Sequence, residues 1–215
     1  MFYSETESAI SSKIRNITSS NSYQTITWDV TLGWMLGFRT FPEIDLNSTS
    51  LNIDFEVRLK PVKEIFSKHL CHHEISDFLA ILKSKPFNRN LNSKDILITS
   101  DTIVWHNNKA LGKPKTQQEA INMLQSLSHQ THEVITSVCF TTSTEQKTIN
   151  SITKVKFKAL SDDEIWYYVT KYNPMDKAGA YGIQDWIGQI GIEKIEGSYF
   201  NVMGLPIDLV YKNLL

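Results

Sequence analysis

The chain has 215 residues, of which 41% are hydrophobic and 21% charged, with a formal net charge of -1, and these values are typical of a globular protein with one sizeable core. Because there is no overall positive field, the composition argues against a protein that holds nucleic acid by its backbone. The sequence has only two cysteines, and it contains neither a signal-peptide pattern nor an apolar run long enough to span a bilayer. These features predict a cytoplasmic protein without a membrane partner.

The first fifty residues differ from the rest of the chain. Residues 1–50 are rich in Ser, Thr and Asn, and no apolar period holds for long. Residues 27–38 are hydrophobic without a clear repeat, and their interpretation stays open between a short strand with a turn and a poorly ordered segment. Such enrichment ahead of a well-patterned region is typical of a tail. We therefore predict an atypical N-terminal segment, residues 1–50, and one folded domain, residues 51–215.

The first half of the domain alternates strand and helix signals. Residues 54–59 alternate in polarity and predict a strand, and residues 74–85 have helical spacing that Pro86 ends. A short run of apolar residues, rich in β-branched side chains, then predicts a buried central strand at residues 96–100. Residues 106–109 predict a turn.

The second half contains a predicted antiparallel hairpin and two capped helices. Thr116 and Ser161 each precede a Glu by three residues, which is the capping-box pattern, and the helix after Ser161 is expected to bury Tyr172. Residues 132–142 and 149–160 predict two long strands joined by a turn, and a short helix follows Pro206. Together these elements predict an α/β fold with a mixed, partly antiparallel central sheet flanked by helices.

Two single residues are candidates for chemistry by their position. Asp101 directly follows the predicted strand at residues 96–100, where α/β folds place ligands, and its carboxylate could hold a divalent metal or accept a proton from water. The alternative is that Asp101 and Thr102 only shape a turn. Lys113 stands before a stiff Pro114 near a helix N-terminus, where it could meet phosphate, and the alternative is an exposed loop lysine.

The segment DKAGAYGIQ, residues 176–184, favours function over scaffold. Its small residues let the backbone approach a ligand closely, Asp176 and Lys177 bring paired charge, and Gln184 offers both a donor and an acceptor to a base edge. A second turn-rich stretch, residues 197–206, could line the same cleft. The cluster HLCHH, residues 69–73, matches no zinc spacing and is interpreted as a surface loop.

A triphosphate site needs several cations or metal-bridging carboxylates around it. Considered one at a time, Glu64 and Lys83 are interpreted as solvated surface residues. A set that the fold could assemble for this purpose comprises Glu64, Lys83, Asp101, Lys113, Asp176 and Lys177.

Five sequence motifs follow one another along the chain: SDTIV at Ser100, LGKP at Leu111, EAINMLQSLSHQTHEVITSV at Glu119, DKAGAYGIQ at Asp176 and GSYFNVMGLP at Gly197. In these motifs, and in their order and spacing, the chain resembles the Maf family over roughly residues 51–215. Members of this family are nucleoside-triphosphate pyrophosphatases of the inosine-triphosphatase-like fold. The resemblance implies cleavage between the α and β phosphates to give a nucleoside monophosphate and pyrophosphate. It also implies a homodimer and a divalent metal cofactor, Mg²⁺ or Mn²⁺.

Carried over by matching motif, the resemblance assigns roles to single residues. Asp101 resembles the family's proton acceptor, Lys113 and Lys83 would contact phosphate, and Glu64 would help to hold the metal. Thr102 and Gln184 match positions that set base preference, and they look like the branch that acts on dTTP and UTP. Asp176 and Lys177 belong to the same substrate-binding loop as Gln184.

One departure from the family lies in the N-terminal segment. A phosphate-binding SxSPRR loop is expected near Phe41, where Glu43 and Ile44 stand in place of the two arginines and Arg39 is a partial substitute. Loss of two cations weakens triphosphate binding. Two explanations stay open. The segment has diverged, leaving a weak or inactive nucleotide-binding relative linked to cell division, or residues before about Asn52 are read from a shifted frame.

Overall fold

The computed structural model describes residues 25–30, 56–88 and 91–214, and for residues 25–30 and 56–57 it describes the backbone alone. The strands are β1 (Thr25–Val30), β2 (Glu56–Val57), β3 (Asp95–His106), β4 (Lys109–Leu111), β5 (Thr131–Thr141), β6 (Gln146–Phe157) and β7 (Ile192–Glu196). The helices are α1 (His73–Ser84), α2 (Gln117–Leu127), α3 (Asp162–Tyr172), α4 (Trp186–Gly191), α5 (Tyr199–Val202) and α6 (Ile207–Leu214), with a short 3-10 helix at Ala178–Ala180. None of the helices in these residues is long and apolar enough to cross a membrane.

All seven of these strands belong to one sheet in the order β2-β1-β3-β5-β6-β7, with β4 paired to β3. The β1 strand runs parallel to both of its neighbours, whereas β3, β5, β6 and β7 pair antiparallel. The predicted α/β class with a mixed, partly antiparallel sheet is therefore confirmed. Because β1 pairs with β3 along Asp95–Ser100, the sheet includes a strand from the first fifty residues. Residues 41–47, where the SxSPRR loop was expected, and Arg39 lie outside the described residues.

The central strand β3 is longer than predicted. The sequence indicated a strand that stops at Ser100, but β3 continues through Asp101 to His106 because β5 pairs with it from Leu97 to Trp105. The expectation that Asp101 follows a strand end is therefore wrong for β3 itself. In the described residues, β1 pairs with β3 as far as Ser100, and β4 pairs with β3 from Val104 onward.

The turns and helices follow local sequence signals closely. Asn107 and Asn108 have φ angles of 50° and 59° and close the β3–β4 hairpin, which suits Asn in the left-handed region. Ser161 forms the full capping box of α3. The Thr116 hydroxyl accepts a hydrogen bond from the Glu119 N–H at 3.1 Å, as in a capping box. The Glu119 carboxylate, however, accepts from the N–H of Lys115 and not from that of Thr116, so only one of the two capping-box hydrogen bonds forms.

One core prediction in α3 is wrong. Tyr172 is 37% exposed, whereas Tyr168, one turn earlier, is fully buried. The helix ends at Tyr172 and Asn173 takes a left-handed conformation with φ 47°, so the last turn projects past the core. The Tyr172 ring stacks on Tyr168 instead, with centroids 5.2 Å apart.

The two faces of the sheet are covered by different elements. The α1 helix packs on one face, where Ile75 and Leu79 meet Ile103 and Ile135. The larger cluster on the other face joins α2 and α3 to β5 and β6. Because successive strand residues point to opposite faces, Thr99, Asp101 and Ile103 face α1, and the residues between them face away from it.

Candidate functional site

The structure brings three charged residues together under α1. The Lys83 ammonium donates to the Asp101 carboxylate and to the Ser100 carbonyl oxygen, the latter at 3.1 Å. The Glu64 carboxylate lies 3.5 Å from the same ammonium. The Lys83 side chain is only 3% exposed, so the sequence-based view of it as a surface residue is wrong. Sequence reasoning placed all three residues near phosphate, and the structure unites them around one cation.

Helix-on-sheet packing sets this arrangement. The Thr99 hydroxyl donates to the Ala80 carbonyl oxygen at 2.7 Å, which fixes α1 against β3. Asp101 lies two residues beyond Thr99 on the same face of the strand, and Lys83 lies three residues beyond Ala80 on the same face of the helix. The contact between Thr99 and Ala80 therefore aligns the next residue pair, Asp101 with Lys83.

The Asp101 carboxylate is buried between charged side chains. Burial raises the pKa of Asp101 above its ordinary value, although the attraction of Lys83 opposes that effect. The charge of Lys113 also acts on this carboxylate and favours its ionised form. A buried carboxylate with a raised pKa and nearby cations is typical of a proton acceptor.

Thr102 lies on the opposite face of β3 from Asp101. Its hydroxyl is 2.9 Å from that of Thr136 in β5, and the Thr136 hydroxyl donates to the carbonyl oxygen of Asn201 at 2.8 Å. Residues 197–206, which the sequence suggested for the same cleft, therefore pack on the face away from the Asp101 side chain.

The DKAGAYGIQ segment packs beside the loop that carries Lys113. Gly179 has a φ of +67°, and its N–H donates to the Gly112 carbonyl oxygen at 3.2 Å. The Lys177 ammonium lies 3.1 Å from its neighbour Asp176, so these charges pair with each other. This backbone contact joins the two loops that the sequence singled out.

Two buried tyrosines support this segment, and sequence reasoning missed both roles. The Tyr168 hydroxyl is 2.5 Å from the Asp185 carboxylate, and the Tyr181 hydroxyl is 2.7 Å from Nε2 of His132. Burial lowers the pKa of His132 to about 3, so this ring is neutral. The sequence signal for the first contact was Asp185 at the N-cap position of α4, but its carboxylate accepts from Tyr168 and does not cap the helix.

The HLCHH cluster makes protein contacts at the start of α1. Nε2 of His72 lies 2.8 Å from the Glu133 carboxylate, and the Cys71 thiol donates to Glu74. Across residues 58–88 and 91–214, the structure holds no group of three or more His, Cys, Asp and Glu residues arranged for a metal. The carboxylates of Glu64 and Asp101, which share one cation, are a pair of hard oxygen donors of the kind that Mg²⁺ uses together with substrate phosphates.

A surface depression of about 370 Å³ lies elsewhere, between α4 and β7. Its lining includes Ile183, Gly188, Ile192 and Tyr199 and none of the candidate charged residues. Catalysis on phosphates needs cations and a base, and those groups lie at Asp101.

Comparison with known proteins identifies the family. The model of the Maf-like protein family matches residues 46–215, which is most of the chain and contains every candidate residue above. The chain belongs to the Maf family.

Curated relatives are similar to this chain over most of their length. A dTTP/UTP pyrophosphatase of Flavobacterium johnsoniae is 56% identical over 164 residues, covering 76% of this chain and 84% of the relative. One from Bacteroides fragilis is 51% identical over 167 residues, covering 77% and 86%. Among solved structures, the Staphylococcus aureus Ham1 protein matches with a TM-score of 0.45 and 18% identity over 89% of this chain and 98% of that one.

Proposed function

We propose that this chain is a nucleoside-triphosphate pyrophosphatase that hydrolyses dTTP and UTP to the monophosphate and pyrophosphate. The observation that carries this function is the buried Asp101 carboxylate, joined to Lys83 and Glu64, in a chain 56% identical to a relative named for this activity. The chain is accordingly a hydrolase of phosphoanhydride bonds.

Asp101 acts as the proton acceptor in this reaction. Its raised pKa suits it to take the proton of the attacking water as the bond between the α and β phosphates breaks. Lys113 and Lys83 stabilise the negative charge that develops on the phosphate oxygens. The charges of both lysines act on Asp101.

Glu64 and Asp101 would hold the divalent cation, Mg²⁺ or Mn²⁺. Such an ion supplies charge neutralisation at the phosphates. Two carboxylates leave most of the coordination sphere to phosphate oxygens and water, which is how Mg²⁺ is usually bound with nucleotides.

The base-recognition end of the site contains Gln184, with Asp176 and Lys177 beside it. Uracil and thymine present an N–H donor between two carbonyl acceptors. The amide of Gln184 can pair with such an edge because it has an N–H donor and a carbonyl acceptor of its own. Tyr168 supports this end by bonding Asp185 and the Gly182 N–H. Thr102 would contribute from the far face of β3.

We place the catalytic domain at residues 51–215 and treat residues 1–50 as the atypical segment that adds β1 to its sheet. The chemistry proposed above uses residues from Glu64 onward. The missing arginine motif makes turnover the decisive measurement, because a weak or inactive nucleotide-binding relative would share the same family and fold.

The test is pyrophosphate release from a panel of canonical nucleoside triphosphates with Mg²⁺ or Mn²⁺. We expect dTTP and UTP to be the best substrates and Asp101→Asn to abolish their turnover. Asp163→Asn, an exposed carboxylate in the first turn of α3, is the matched control and should keep full activity. Binding of UTP without turnover would identify the inactive relative, and a purine preference would contradict the proposed substrates.

A further inference from the structure

The Lys83 ammonium occupies the point at which two carboxylates of the candidate site converge. It contacts Asp101, lies 3.1 Å from the Ser100 carbonyl oxygen and lies 3.5 Å from Glu64. An ammonium has three N–H donors, and three protein oxygens surround it. The Lys83 ammonium thus offsets part of the negative charge of the two carboxylates.

A divalent cation held by Glu64 and Asp101 would need the same space. Mg²⁺ and Mn²⁺ use carboxylate oxygens of this kind, and a cation placed between them would lie against the Lys83 ammonium, which repels it. The ammonium and the metal are therefore alternative partners of one carboxylate pair. A triphosphate changes this balance, because its oxygens offer both the metal and the displaced ammonium new anionic partners.

We propose that Lys83 is the resident counter-ion of the Glu64–Asp101 pair, which a metal–nucleotide complex displaces, so that the divalent ion binds with the triphosphate and not before it. This inference rests on the proposed function for the identity of the ligand. The flexible stem of Lys83, in the last turn of α1, allows its charged end to move from the carboxylates to phosphate while the helix stays in place. Lys83 thereby suppresses metal binding by the free protein.

The experiment is a calorimetric titration of Mn²⁺ into the full chain without nucleotide. Lys83→Met frees both carboxylates, and we expect it to bind Mn²⁺ at least tenfold more tightly than the wild type. Lys85→Met is the matched control, since Lys85 is an exposed lysine at the end of the same helix, and it should bind Mn²⁺ like the wild type. Adding Asp101→Asn to Lys83→Met should abolish the gain.

Lys83→Gln serves if the Met variant does not fold, because its amide is polar and carries no charge. Mn²⁺ affinity in the Lys83 variants equal to or weaker than in the wild type would overturn the counter-ion role. That failure is distinguishable from failure of the proposed function, since the titration contains no nucleotide. An active wild type with no tighter Mn²⁺ binding in the variants contradicts this inference alone.

Discussion

The Tyr168 hydroxyl donates to the Asp185 carboxylate 2.5 Å away and accepts a hydrogen bond from the Gly182 N–H at 3.1 Å. One buried side chain of α3 thus holds the chain on both sides of Gln184. Burial and the neighbouring Asp185 charge raise the pKa of Tyr168, so the hydroxyl keeps its proton and remains a donor. These two contacts tie the backbone around Gln184 to α3.

We expect Tyr168→Phe to weaken substrate binding more than chemistry. The variant loses both hydrogen bonds, so the KM for UTP should rise roughly tenfold and the free energy of unfolding should fall by about 1 kcal/mol, while kcat changes less. Steady-state kinetics and urea unfolding measure these effects. Tyr172→Phe, on the exposed ring that stacks against Tyr168, is the control, and an unchanged KM in Tyr168→Phe would refute the positioning role.

We expect Gly179→Ala to damage the loop that Gly112→Ala leaves intact. A Cβ on Gly179 would come within 2.9 Å of a Val104 methyl and would sit at a φ of +67°, whereas one on Gly112 meets nothing within 4 Å. Gly179→Ala should therefore lose about 1–3 kcal/mol of stability together with activity. Urea unfolding of the two variants decides this, and equal stability of both would contradict the tight packing at Val104.

We expect His132 to make the protein less stable as pH falls. Its pKa is lowered to about 3 in the folded state from 6.5, so between these values the unfolded chain binds the proton and the folded chain does not. The free energy of unfolding therefore falls by about 1.4 kcal/mol for each pH unit across that window. Unfolding of wild type and His132→Gln at pH 7, 6, 5 and 4 measures the difference, and a parallel pH dependence would show that His132 is not neutral when folded.

We expect Asn201→Ala to be strongly destabilising. The fully buried amide of Asn201 donates to the Val134 carbonyl oxygen at 3.0 Å and to the Thr153 hydroxyl at 2.9 Å, and so holds α5 to two strands. Removing it should cost about 2–3 kcal/mol, because buried partners lose their hydrogen bonds. Asn213→Ala, which loses a single contact to Leu209, is the control. If Asn201→Ala lost less stability than Asn213→Ala, water would be replacing the hydrogen bonds of the Asn201 amide.

Local signals in the sequence accounted for most of the secondary structure. Ser161 caps α3 and Asn107 closes a hairpin, because these preferences act within a few residues of the chain. The family strings also directed attention to Asp101 and to the loop at residues 176–184. Tyr172 was misjudged because helical spacing shows which residues share a face but not how far the core extends along it.

The sequence by itself determined the mixed α/β class, the helix caps and the candidate residues, since each depends on nearby residues or on a motif. Only the tertiary structure decided that β3 continues past Asp101, because that depends on pairing with β5, which lies about thirty residues further along the chain. It alone also placed the Lys83 ammonium between Asp101 and Glu64. That contact follows from how α1 packs on the sheet. Considered alone in the sequence, Lys83 is interpreted as a surface residue, but the packing buries it against the two carboxylates, where it acts as their counter-ion.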